Sequence, residues 1–331
     1  MVENNTLLSQ HTMLTDILRQ ALKGDVSAAN HMLKYLSSPN PALRQSMQEA
    51  INDLPDVRIW MKLLRCLALH SWNDHLECEQ QTAPIASQRI DNSIEDVFLQ
   101  DKGDLNKSRK ETTLLSGLDD SSSQIRQVAA YLLGLRGNPH AIRVLSETIE
   151  SGSIESQLRA VKALETVGDE RCGPPLLKAL IMNRGEIHRE AGRALNRLGK
   201  IVESTWLRAL DHPNDHIRWH AARGLGNIGD ARYAQILAEG LLDENRLVRW
   251  ATADVLAYLG ARGVPATLKI LSYSRLDVPI RQAAYHALHG ITSRGVQKRL
   301  KPLLDAMHGP AADIKVPGIA QRLLLEWEKV E

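Results

Sequence analysis

The sequence predicts an all-α fold, a solenoid of stacked helical hairpins, and three observations carry that expectation. A motif of the form V/I-R-x-x-A-A-x-x-L-x-x-I-G recurs with opening positions Ile125, Ser156, Ile187, Ile217, Val248 and Ile280, spaced 31, 31, 30, 31 and 32 residues apart. A period of that size marks a unit that buries its apolar face only by stacking on copies of itself. The composition is aliphatic, with one Phe and six Tyr in 331 residues, which suits helix-on-helix packing better than a sheet. Finally, Gly137, Gly168, Gly199, Gly229 and Gly260 each close a copy, as a residue free to take positive φ does at a helix end.

Before the array the pattern is weaker. Helices are expected near Met13 to Lys23 and Ser27 to Leu36. Leu43 to Pro55 reads as a degenerate first copy, with Leu43, Met47, Ile51 and Leu54 on one face. Val57 to Trp72 is its second helix, buried through Val57, Trp60, Met61, Leu64, Leu67 and Ala68, with Trp60 in the core. Residues 1–72 are thus an N-terminal helical cap. Residues 73–108 turn polar around one apolar island, Ile94 to Leu99, and read as an insertion, a worn repeat or a mobile loop. The regular array spans 109–309, and 310–331 supply a capping helix in which Trp327 closes the last core layer.

Within a copy such as Ile217 to Gly229, Ala221 or Ala222, Leu225 and Ile228 follow the opening residue at offsets 4 or 5, 8 and 11, which is one face of a helix. Shorter apolar runs follow the glycines at Pro174 to Leu180, Thr205 to Leu210 and Gln235 to Leu242, so each unit is helix, turn, helix. Asp120 precedes Arg126 by six residues and Asp243 precedes Arg249 by six, a spacing at which carboxylate and guanidinium can meet across the turn. Arg126, Arg218, Arg249 and Arg281 therefore read as a structural ladder of ion pairs.

These copies resemble the HEAT-like repeats named after phycobilisome lyases, strongly from Glu111 to Thr292. The resemblance implies a right-handed α-α superhelix whose motif-bearing helices line the concave side. It also places the free positions of the repeat at offsets such as 2, 3, 6 and 10. On this chain those offsets nominate Arg189, Arg193, Arg197, Trp219, His220, Arg223, Trp250, Asp254, Tyr258 and His286 as partner-binding residues. Gln127, Tyr131, Lys162, Glu186, Glu190, His216, Asn227 and Gln282 fall on the same face. Trp, Tyr and Arg are the side chains favoured at interface hot spots, and Trp219 and Trp250 share offset 2 in adjacent copies. The plainer reading has both rings packed on the neighbouring repeat. The pairs Glu186 with Arg189 and Glu190 with Arg193 also neutralise part of the arginine stripe.

Function follows only coarsely. The favoured reading is a noncatalytic scaffold or adaptor for a protein partner of acidic or mixed surface, with no cofactor and no metal site. Residues 1–108 carry a net −4 and 109–331 a net +6, too dilute for a dedicated nucleic-acid binder. The family's name makes a bilin lyase subunit or chaperone the alternative, with arginines for propionates and tryptophans for rings. A helical-repeat glycosylase for alkylated bases is the second, echoed faintly by Trp250 and Asp254. A di-iron hydroxylase of paired His-Glu steps is disfavoured, since none of the twelve histidines precedes Glu. Cys66, Cys78 and Cys172 are scattered, without a CxxC spacing, and fit a reducing compartment. No apolar run approaches the roughly 20 residues of a membrane span, and the N-terminus lacks the form of a signal peptide. The expected location is the cytoplasm.

Overall fold

Helices form along this chain where apolar side chains recur every third or fourth residue, and alanines at the inner offsets let neighbouring helices approach closely. The computed structural model describes residues 13–23, 25–36, 38, 40–52, 57–73, 97–99, 104–182, 185–273 and 277–328, and no strand occurs among them. The fold is an all-α repeat solenoid. Two units meet at Cys172 and Gly173 in the sequence.

Unit 1 contains α1 (13–22), α2 (Val26–Leu36), α3 (Pro41–Asn52), α4 (Val57–Asn73), α5 (97–99), α6 (Asp104–Gly117), α7 (Ser123–Leu135), α8 (Ile142–Ser151) and α9 (Ile154–Val167). The motif helices α7 and α9 lie side by side, each against α8. The four N-terminal helices fall where periodicity places them, and Trp60, Leu64 and Ala68 are buried as expected, joined by Leu63, whereas Met61 is only half-buried and the side chains of Val57 and Leu67 lie outside the described residues. Leu54 lies outside the described residues, as does most of the polar stretch from 74 to 103. Its apolar island is core: Val97 and Phe98 are buried, and the Phe98 ring meets Trp60 edge-on at 5.7 Å. The chain's single phenylalanine thus completes the layer that Trp60 begins.

Unit 2 contains α10 (Gly173–Ile181), α11 (Gly185–Leu198), α12 (Glu203–Ala209), α13 (Asp215–Ile228), α14 (Ala234–Glu239), α15 (Arg246–Leu259), α16 (Val264–Leu271), α17 (Val278–His289), α18 (Arg294–His308) and α19 (Ala312–Glu328). The motif helices α11, α13, α15 and α17 form one layer, and the second helices pack behind them. Beyond the motif, α19 lies against α16 and α18, with Trp327 buried under the Arg299 guanidinium at 3.8 Å. The five closing glycines all take positive φ. At Gly168 and Gly229 (φ 65° and 69°) the amide donates to the carbonyl four residues back, ending the helix in a left-handed cap that a Cβ would strain.

The arginine ladder exists, but with different partners from those its spacing suggests. Arg126 donates to the backbone carbonyls of Asp120 and Ser121, and Arg249 to those of Asp243 and Glu244. Arg218 does the same with His212 and Pro213, and Arg44 of the degenerate copy with Ser38. A guanidinium six residues after a turn therefore reaches the turn's exposed carbonyls, which lack helical donors. The carboxylate is held by the arginine of the preceding helix layer. Asp243 takes a two-pronged grip from Arg218 (Nε to Oδ2 2.7 Å, Nη2 to Oδ1 2.9 Å), and Asp120 is held by Arg65 at 3.0 and 2.7 Å. Where the motif's second position is not arginine, the side chain still serves the preceding helix. Gln157 donates to the Ile149 carbonyl at 2.6 Å, and His188 Nδ1 lies 2.7 Å from that of Leu180.

Candidate functional site

The nominated residues lie on the motif helices of unit 2, and the structure sorts them into three groups. Trp219, half-buried on α13, is flanked by the His216 ring (stacked, 6.0 Å), the His220 ring (edge-on, 4.7 Å) and the Arg223 guanidinium, 4.9 Å from the indole centroid. Trp250, half-buried on α15, packs on the His286 ring at 4.6 Å with Arg246 5.9 Å from its centroid. Although one repeat apart, the two indoles share no ring contact among the described residues; each has its own histidine and its own arginine. Cation–π stacking of this kind holds an exposed ring in place without burying it.

On the same two helices, α13 and α15, Arg223, Gly226, Asn227, Ala251, Asp254, Val255 and Tyr258 line an open pocket of about 320 Å³. Tyr258 is 77% exposed. Gly226 is required where α13 crosses α15, since a Cβ there falls 2.4 Å from Val255. Arg223 and Arg189 are exposed and make no salt bridge among the described residues. Of the two pairings foreseen for the arginine stripe, Arg193 is bound to Glu190. Arg197 is exposed at the end of α11. Asp254 and His286, both nominated as contacts, bond to each other instead (Oδ1 to Nε2, 2.7 Å).

His220 belongs to a third group that the sequence did not single out. Its ring turns toward His188 on α11 and His216 on its own helix, at centroid distances of 5.3 and 4.7 Å, and His188 stacks on His216 at 5.2 Å. Each of the three offers a ring nitrogen, and these nitrogens lie within 4.8 Å of one another. His220 Nε2 is buried without a hydrogen-bond partner. Burial first, then the neighbouring His216, His188 and Arg223, pushes the His220 pKa down to about 4, so its imidazole is neutral at pH 7. His220 is thus turned inward rather than offered as a groove contact. The signal was present but split: His216 and His220 are one helical turn apart, and His188 stands in the preceding copy where the motif has arginine.

The sequence of this chain matches the family model of HEAT repeats over residues 111–196 and 175–257. No curated protein matches it. Similar solved structures include an engineered protein (16% identity, 97% of this chain and 96% of that chain, TM-score 0.34). They also include the complex of CpcE and CpcF of phycocyanin lyase from Nostoc sp. PCC7120 (19%, 74% and 91%, TM-score 0.29) and importin beta (15%, 93% and 47%, TM-score 0.42). Among the described residues no helix is long and apolar enough to cross a membrane.

Proposed function

We propose, starting from an array of HEAT-like repeats, that this chain is a noncatalytic adaptor holding a protein partner on the α11 to α17 face of unit 2. The observation that supports this is the placement of two half-exposed indoles, each backed by a stacked arginine, beside a pocket bordered by the exposed Tyr258. Rigid aromatic side chains with guanidinium neighbours are what hot spots are made of. Trp219 and Trp250 supply apolar anchors, Tyr258 and Asn227 polar contacts, and Arg189 and Arg223, which lack carboxylate partners among the described residues, the pairing with acidic groups of the partner. The partner that fits is a protein surface presenting an apolar side chain within an acidic setting.

The test is affinity purification of the tagged full-length chain from its source cells, beside Trp219→Ala/Trp250→Ala and Arg189→Glu/Arg223→Glu variants. The expected result is a defined partner retained by the native chain and lost from both variants, each of which keeps its helicity. Identical eluates from all three overturn the reading. Nucleic acid in the eluate, released steeply by salt, or visible pigment absorbance replaces it with the glycosylase-like or bilin alternative.

A further inference from the structure

The geometry points to a transition-metal site formed by His188, His216 and His220, which we propose binds a divalent ion of the zinc class through three imidazole nitrogens. Three histidine nitrogens within 4.8 Å of one another need only small side-chain rotations to reach the separation of about 3.3 Å that tetrahedral Zn–N bonds of about 2.0 to 2.1 Å impose. Two further features make this more than a chance gathering of rings.

The first is the orientation of His188. A backbone carbonyl can only accept, so the 2.7 Å contact with Leu180 requires the proton on Nδ1. In a neutral ring that leaves Nε2 as the lone-pair nitrogen, which is the outer-sphere arrangement that metal-binding histidines use. The second is the orphaned Nε2 of His220, buried with no donor or acceptor in reach. A buried polar atom without a partner is costly, and a metal ion satisfies it. His216, the exposed member, leaves the site open to exchange. Imidazole donors favour zinc, copper and nickel over calcium or magnesium, and three protein donors leave a fourth position for water or a partner's side chain. The site lies on the same helices as the proposed docking face yet is independent of it, because metal binding needs no partner present.

The experiment is a calorimetric titration of chelator-treated full-length chain with ZnCl2, repeated with CoCl2 and read by visible absorbance. The expected result is one ion per chain, with the intense bands of tetrahedral cobalt. His216→Ala, at an exposed position that the core does not need, should weaken binding by about 100-fold or more and abolish the cobalt bands. His140→Ala, an exposed histidine in unit 1, should change nothing. Absence of binding at micromolar zinc overturns the proposal. So does a stoichiometry or affinity that His216→Ala leaves unchanged, which places the metal elsewhere on the surface.

Discussion

The same repeat offsets meet different fates in the two units. At offset 6 in unit 1, Tyr131 is buried on α7 and its hydroxyl lies 3.5 Å from the ammonium of Lys162, the offset-6 residue of α9. The two copies meet each other through this contact, with the phenol buried and the ammonium exposed. At offset 6 in unit 2, Arg223 and Asp254 border an open pocket, and at offset 2 the indoles of Trp219 and Trp250 stand half-exposed. The helix backbone is equivalent in both places. The difference is therefore one of side chains: Asp254 still pairs with His286 of the next copy, as Tyr131 does with Lys162, whereas Arg223 is exposed without a salt bridge among the described residues and the two indoles stay half-exposed on the proposed docking face.

Substitutions can pull this contrast apart, beginning with a control for the scaffold itself. Trp206 is 1% exposed and lies against Gly224, where a Cβ would fall 2.4 Å from the indole. Trp206→Ala should cost about 3 to 5 kcal/mol in chemical denaturation and take the face down with it. Arg218→Ala strips Asp243 of its forked partner in a setting where the two side chains are 19% and 10% exposed, a loss of about 2 to 3 kcal/mol. Burial alone would raise the Asp243 pKa, but the Arg218 bonds and the Asn245 amide outweigh it and hold it below the usual range. The stabilisation by this pair is therefore complete above about pH 4 and disappears as the pH falls through the lowered value. Stability curves of native and Arg218→Ala chains should converge in acid.

The Trp219→Ala/Trp250→Ala chain should lose only about 1 kcal/mol per ring in the same denaturation assay, since each is half-exposed already, while partner capture is lost. A loss as large as that of Trp206→Ala would return both rings to the core. Smallest of all, Lys162→Ala in unit 1 should shift stability by less than about 0.5 kcal/mol and leave capture intact, as measured in the same eluates.

Much of the fold was legible because its signals are local. A glycine closes each helix within its own copy, and the spacing of Trp60, Leu64 and Ala68 reports one helix face directly. Phe98 was less legible, because a short apolar island in a polar stretch gives no period to read. The partners of the ladder were misread for a related reason. Sequence distance favoured Asp243 with Arg249, six residues apart, whereas stacking brings in Arg218, twenty-five residues back. The pairing of Asp254 with His286, separated by 32 residues, and the gathering of His188 with His216 and His220 were hidden in the same way. Such contacts need the rotation between successive copies, which no linear pattern records.

His188 has a consequence for how the molecule comes apart. In a linear stack, cooperativity rests on the coupling between nearest neighbours. Arg218 grips both its own turn and the carboxylate of the following one, so the copies opened by Ile217 and Val248 should unfold together. In the copy opened by Ile187 the motif's arginine position is held by His188, whose shorter imidazole reaches back to Leu180 in place of a forked grip like that of Arg218 on Asp243, so the seam between α11 and α13 is the joint at which amide hydrogen exchange should first separate two cooperative blocks. A zinc ion shared by His188, His216 and His220 would clamp that joint, merging two unfolding steps into one and turning metal availability into a control on how far a local opening spreads.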